Sequence, residues 1–304
     1  MFGRVFACFL ALTASPSIAD IAGREFLGYG RIIVNDLLGD GRDRWRTGSA
    51  SSSRIWGYGW DGRVPEKAFD LLEFRFGGEI ISPRNINDSG SGDRPWAGAL
   101  SWGLHTHFRS GETEFAMGAD LIAIGPMTHL DDLQSAIHDA VGIPGPSDTV
   151  LAGQLPNQWT GRAVAEMGRD YGLGEKSVLR PFAEARLGDE SLVRAGFDVT
   201  LGRYGEGELL VRDWVTGHRY RAVKNQIAGT SFVIGADIAK VFDSVYLPDD
   251  RGLQLTDTRQ RARMGFHWRG KKSHVFYGVT WLSEEFVGQG EGQVVGAIRL
   301  DLKF

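Results

Sequence analysis

The sequence predicts an all-β protein, a transmembrane antiparallel β-barrel of about twelve strands with a short helix in an external loop. Three observations carry that expectation. Residues 1–19 have the pattern of a cleavable secretory signal: Arg4, an apolar run from Val5 to Ala14, then Ser17-Ile18-Ala19 before Asp20. The remainder, residues 20–304, reads as one domain in which apolar and charged residues alternate over segments near the ~9–11 residues a barrel strand needs. No run of eighteen apolar residues follows the leader, so a membrane crossing, if there is one, uses strands rather than a helix.

Composition agrees. The chain has 42 glycines, 17 phenylalanines and 9 tryptophans in 304 residues, which suits a tightly paired sheet with aromatic girdles. A soluble β-sandwich would accept the same composition, and the alternation decides between them. Its only cysteine is Cys8, inside the leader, so the exported protein forms no disulfide. With 34 basic and 38 acidic residues the formal charge is −4, and no basic excess points to nucleic acid.

Taken in order, the alternating segments are 25–34, 44–58, 68–81, 96–108, 112–124, 160–170, 175–188, 191–204, 229–246, 258–270, 272–285 and 292–304. In the tenth, Ala262, Met264, Phe266 and Trp268 oppose Arg261, Arg263, His267 and Arg269. In the eighth, Val193, Ala195, Phe197, Val199 and Leu201 oppose Arg194, Asp198 and Thr200. One lipid-facing and one polar lumenal face are expected. In the last, Ile298, Leu300, Leu302 and Phe304 alternate with Arg299, Asp301 and Lys303. A strand running to a terminal Phe304 resembles the closing strand and assembly signal of bacterial outer-membrane barrels, which implies the barrel-assembly machinery as a partner and the outer membrane as the location.

With both chain ends on the periplasmic side, the connections after strands one, three and five are external. The stretch 205–228 follows strand eight and falls on the periplasmic side, where it is long for such a connection. Sequence reasoning leaves its path open.

The connection after strand five contains the departure from strand periodicity. Between Met127 and Asn157, Leu130, Leu133, Ile137 and Val141 recur at helical spacing. Gln134 and His138 are four residues apart, one above the other, and are expected beside the apolar stripe rather than in it.

Candidate chemistry gathers at the external strand edges. Asn35-Asp36 follows Ile32-Ile33-Val34, and a carboxylate there can hold a hard cation or merely close an Asx turn. Arg94 in Asp93-Arg94-Pro95-Trp96-Ala97-Gly98 can fork a phosphate or stand as a rim arginine. His105, His107, His267 and His274 suit lumen or rim positions, with no third metal ligand at a recognisable spacing. The chain has no Gly-x-Ser-x-Gly elbow and no phosphate-binding glycine loop.

Asn35-Asp36, Arg44-Trp45-Arg46-Thr47-Gly48, Ser82-Pro83, Asp93-Arg94-Pro95-Trp96-Ala97-Gly98, Gly125-Pro126 and Gln134-Ser135-Ala136-Ile137-His138-Asp139 with Gly142, in that order, resemble the outer-membrane lipid A 3′-O-deacylase family (LpxR-type). The resemblance covers most of the mature chain, and Gln-x-x-x-His-Asp after Asn-Asp is its most specific part. It implies a twelve-stranded barrel and a calcium-dependent site between the wall and a helix from an external loop. The implied activity is carboxylic ester hydrolysis, removing the 3′-linked acyl chain of lipid A in the lipopolysaccharide of a Gram-negative envelope.

The resemblance also implies roles. His138 would be the general base on water and Gln134 would help position it. Asn35 and Asp36 would contribute to the Ca²⁺ and oxyanion region, with Asp36 a metal ligand. Thr47 would line the same wall, and Arg94 would hold a lipid A phosphate.

Two departures stand out. Gln154-Leu155-Pro156-Asn157 is followed by Gln158 where family sequences tend to carry Glu, and Ile143-Pro144-Gly145-Pro146 makes a different loop. The alternative readings are a barrel whose site has decayed and which serves as a structural or binding protein, and a passive pore.

Overall fold

The computed structural model describes residues 22–88, 90, 92–271 and 273–302. The leader and the terminal Phe304 lie outside the described residues. Twelve long strands form the wall: β1 (Glu25–Asn35), β2 (Trp45–Gly57), β3 (Leu71–Ser82), β4 (Ala97–Ser110), β5 (Thr113–Ile124), β6 (Gln158–Arg169), β8 (Ser177–Gly188), β9 (Glu190–Leu201), β12 (Gly229–Ser244), β13 (Arg259–Arg269), β14 (Ser273–Leu282) and β15 (Gln293–Leu302). Each of the twelve alternating segments coincides with one of them. β7 (Tyr171–Gly174) is a short extension paired with β8 alone.

The pairing is antiparallel throughout, and the sheet closes on itself through β1–β15, with Ile33 opposite Ile298, and through β6–β8, with Val164 opposite Arg186. Closure is what lipid demands, because an unpaired backbone N–H or C=O has no water to bond there. The alternation sorts the two faces. Met264 is 61% exposed on the outside, whereas its strand neighbours Arg261, Arg263 and His267 are buried in the lumen.

The connection after β9 departs from a simple periplasmic loop. It carries a two-stranded hairpin, β10 (Leu209–Arg212) and β11 (Arg219–Val223), paired only with itself. The hairpin stands inside the barrel and touches the wall on several sides. Val211, Tyr220, Ala222 and Val223 pack with Ile32, Val34, Ile55, Leu71, Phe276, Val295 and Ala297. Arg212 donates to Glu166 at 3.0 Å and to Asp198 at 3.0 Å, and Ser51 donates to Asp213 at 2.9 Å. At its tip Trp214 donates from Nε1 to Glu79 at 3.1 Å, and Arg261 donates to the Trp214 carbonyl at 2.9 Å. The ring fits because position 77 is glycine: a Cβ there would fall inside the Trp214 side chain. The strand count therefore holds, and the length of 205–228 is the length of a plug entering from the periplasmic end.

The helical stretch lies on the other surface. The connection between β5 and β6 holds α1 (Leu130–Val141) and a short α2 (Asp148–Ala152), and its ends are joined by Met127 N–H donating to Asn157 Oδ1 at 2.7 Å. Glu79 and Ile81 point into the barrel, so Ile80 between them points out. Leu130 and Leu133 of α1 and Val150 and Leu151 of α2 pack with this Ile80, Leu100 and Trp96. Close approach depends on Gly98, where a Cβ would lie 2.6 Å from Thr128 Oγ1 and 2.9 Å from the Leu130 Cβ. The helix is clamped to the outside of the wall at its external rim.

Candidate functional site

The site lies where α1 meets the loop between β1 and β2. At the end of β1, Asn35 caps a single 3-10 turn (36–38): its Oδ1 accepts from Leu37 N–H at 2.9 Å, and its Nδ2 donates to the Thr47 carbonyl at 3.1 Å. Those bonds fix Asp36, which is buried and accepts from Arg44 N–H at 3.0 Å. Burial first, and the negative charge of Asp43 second, push the Asp36 carboxyl up to about 8. β2 pairs irregularly with β3 between Trp45 and Gly48, which leaves Arg46 facing the lumen and Thr47 facing the loop.

From the other side α1 presents its polar face to the wall. The periodicity suggested an apolar stripe ending at Val141, with Gln134 and His138 beside it. The buried residues are instead Leu130, Gln134 and His138, and Val141 is 44% exposed. The helix is turned so that its first turn packs on apolar wall and its later turns meet carboxylate.

Three side chains converge on Asp43. Thr47 donates its hydroxyl to Oδ1, Gln134 donates from Nε2 to the same oxygen at 3.3 Å, and His138 Nε2 lies 2.8 Å from Oδ2. Two of them are held from behind. Trp96, fully buried, donates from Nε1 to Gln134 Oε1 at 2.8 Å. His138 Nδ1 bonds the Pro144 carbonyl at 2.7 Å. Asp43 raises the His138 pKa above the ordinary value, burial opposes the shift, and the Pro144 carbonyl assists it. The last turn of a helix, with its outward carbonyls, also favours a cationic imidazole.

Four residues singled out from sequence, Asn35, Asp36, Thr47 and Gln134, are thus brought together with His138. Arg94 is not. It is 0% exposed and its guanidinium pairs with Glu285, inside a buried network that joins Arg46 to Glu79, Glu190 and Glu285. Burial and the Glu285 charge leave it no path to a surface phosphate. Gln158 is likewise absent from the site: it pairs with Ile124 at the head of β6. The proline-rich loop does take part, through the Pro144 carbonyl.

Asp43 is the residue that sequence reasoning passed over. Set in Arg42-Asp43-Arg44-Trp45-Arg46, it looks like one member of a surface charge run. The signal available was its place in the same short loop as Asp36, where two acids must share the strand edge.

Among the described residues, no group of three or more His, Cys, Asp or Glu side chains is arranged to hold a metal. Calcium, however, takes oxygen of any kind. Asp36 and Asp43 repel one another across the site, and Asp43 Oδ2 has no aligned hydrogen-bond donor although it is buried. The two carboxylates and the Thr47 hydroxyl that reaches them offer oxygens of the kind that fit a hard cation, with Asn35 adjoining them.

Three comparisons with known proteins bear on the chain. The family described as "Outer membrane protein LpxR" matches residues 6–304. Among solved structures, the chain is similar to LpxR from Salmonella typhimurium, with a TM-score of 0.73 and 16% identity over 91% of this chain and 100% of that one. The β domain of the Bordetella autotransporter BrkA aligns over 92% of this chain and 99% of its own, at 8% identity and a TM-score of 0.46. No curated protein matches the sequence.

Proposed function

The chain belongs to the LpxR family of outer-membrane proteins and is an integral outer-membrane barrel, and from that premise we propose that it is a calcium-dependent hydrolase that removes the 3′-linked acyl chain of lipid A. The observation that carries the proposal is the convergence of Thr47, Gln134 and His138 on Asp43, on the outer surface of the wall at its external rim. A lipid in the outer leaflet reaches that position sideways, without entering the barrel.

Each residue then has a task. The Pro144 carbonyl keeps the Nδ1 proton of His138 in place, so Nε2, which faces Asp43, is the nitrogen that takes up and gives back a proton. His138 takes a proton from water as the water adds to the ester carbon. It returns that proton to the sugar 3′-oxygen as the acyl group leaves as a carboxylic acid. Asp43 stabilises the imidazolium between the two transfers, and Gln134 and Thr47 hold Asp43. Asp36 and Asp43, with Asn35 and Thr47, would hold the calcium ion. When bound, such an ion polarises the ester carbonyl and stabilises the oxyanion. No covalent enzyme intermediate is needed.

The lumen has no part in this scheme, and the hairpin inside it offers a passive pore no support. Mass spectrometry of lipid A from cells expressing the wild-type protein or His138→Ala tests the proposal. Loss of the 3′-acyl mass in the wild type alone is the expected result. Identical spectra for wild type and empty vector, in a host whose lipid A carries that chain, would sink it and favour a barrel without turnover.

A further inference from the structure

Two external loops bring three guanidinium groups onto one carboxylate of a third loop. Arg42 Nη1 lies 3.0 Å from Glu291, Arg84 Nη2 lies 2.9 Å from it, and Arg44 Nη1 bonds the same oxygen. Among the described residues, Asp40, 3.0 Å from Arg44, is the one other carboxylate paired with these guanidinium groups, while Asp93 accepts from the Arg84 backbone N–H. Three guanidinium groups therefore pair with two carboxylates, and one of those, Glu291, is on a neighbouring loop at the surface.

The cluster is built rather than incidental. The Arg44 side chain is buried and its Nε has no hydrogen-bond partner. Its guanidinium lies 4.2 Å from the ring of the fully buried Trp45, and that of Arg84 lies 5.7 Å from the same ring. Arg42 and Arg84 remain open, with side chains 58% and 54% exposed. Ion pairs at that exposure contribute little to folding, so the fold alone gives no reason to collect them.

We propose that Arg42, Arg44 and Arg84 form a binding site for a phosphate group on a lipid headgroup, with Glu291 as the carboxylate that the phosphate displaces. The planar fork of each guanidinium matches phosphate oxygens, and three forks suit a dianion better than a single carboxylate. Arg42 and Arg44 flank Asp43 in sequence, so the anion site and the His138–Asp43 pair share the loop between β1 and β2. Assigning the phosphate to the substrate rests on the deacylase reading; the anion site itself does not.

The test measures binding without turnover. In a His138→Ala background, purified barrel in detergent is titrated with lipid A bearing both phosphates and with the same lipid stripped of both. The phosphorylated lipid is expected to bind about tenfold more tightly, the scale of one charge-assisted contact. Arg42→Gln with Arg84→Gln removes the preference, Glu291→Gln strengthens it, and heat-modifiable gel migration checks that each barrel is folded. Equal affinity for the two lipids, or a preference that survives the double substitution, overturns the proposal. Inorganic phosphate displacing the lipid at the lipid's own binding concentration would reassign the site to free phosphate and overturn the headgroup assignment. Deacylation is read separately in the wild type, so a phosphate preference without hydrolysis supports this site while ending the hydrolase reading.

Discussion

His138 holds its Nε2 2.8 Å from Oδ2 of Asp43 while its Nδ1 bonds the Pro144 carbonyl at 2.7 Å. The imidazole therefore sits between two acceptors, and both favour its charged form. Asp43→Asn keeps the shape and removes the charge that stabilises the imidazolium. Lipid A deacylation by Asp43→Asn is expected to fall by about 10²-fold or more, the usual contribution of general acid–base catalysis. Barrel formation, read by heat-dependent gel mobility, should be unchanged. Wild-type turnover in this variant would remove Asp43 from the mechanism.

Gln134 joins Trp96 to Asp43, accepting from one and donating to the other. Gln134→Leu strands the buried Trp96 N–H and releases Asp43, at a stability cost of about 1–3 kcal/mol for the orphaned donor. A drop in kcat with little change in KM is expected, because in the proposed scheme Gln134 steadies Asp43 beside the base rather than binding the lipid. Gln134→Glu, which keeps an acceptor for Trp96 but sets a carboxylate against Asp43, should be as inactive. Activity retained in both variants would reduce the residue to packing.

How much of this was legible in the sequence varied with the physics behind each feature. The wall was legible because a strand between lipid and a polar lumen must alternate, and Arg261 to Trp268 does so without a break. Gln134 and His138 were legible as a pair because helical geometry alone stacks residues four apart. Which way the pair faced was not, since Val141 extends the apolar stripe in sequence yet stays exposed. The plug was illegible for a related reason. β10 and β11 are only 4 and 5 residues long, and Trp214 and Tyr220 look like girdle aromatics until Gly77 and Ser53 are seen to receive them. The burial of Arg94 and the part of Asp43 were not legible, because charge near a loop reads as surface and only packing shows which charge is buried.

Glu285 lies in the external connection between β14 and β15, where it holds Arg46 at 2.8 Å and pairs with Arg94. Burial works against its charge, but the nearby guanidinium groups of Arg46, Arg259 and Arg94 hold its carboxyl down at about 2. Glu285→Gln leaves Arg94, wholly buried, without its counter-charge. Breaking a buried pair from one side costs about 3–5 kcal/mol. The variant is expected to lose its folded gel mobility at a lower temperature than the wild type, whereas Glu291→Gln, at the exposed cluster, should not. Equal melting of both would mean that the buried network adds no stability.

The calcium assignment can be read without the reaction. Terbium in place of calcium, excited through the nearby tryptophans, should luminesce on the wild-type barrel and be displaced by Ca²⁺. Asp36→Asn and Asp43→Asn should each abolish the signal, since each removes one of the two carboxylates that face each other there. Arg94→Lys, away from the site, should keep it. In parallel, chelation should stop deacylation and added calcium restore it. Luminescence that persists in both Asn variants would place the ion elsewhere.

The plug allows a final test that separates wall from function. The hairpin is packed to the wall by apolar contacts with β1, β2, β14 and β15 and by Arg212, Asp213 and Trp214. The intact barrel is therefore expected to be closed in planar bilayers. Replacing 206–226 with a short flexible linker should leave the twelve wall strands paired, because no wall strand uses the hairpin as a ladder neighbour, and should open a conducting lumen. Trp214→Ala alone removes the tip contact with Glu79, whose other oxygen holds Arg46 at 2.7 Å, next in sequence to Thr47. If deacylation depends only on the outer face, it survives the deletion while conductance appears. Conductance unchanged by the deletion would mean that the lumen is closed by the wall residues themselves.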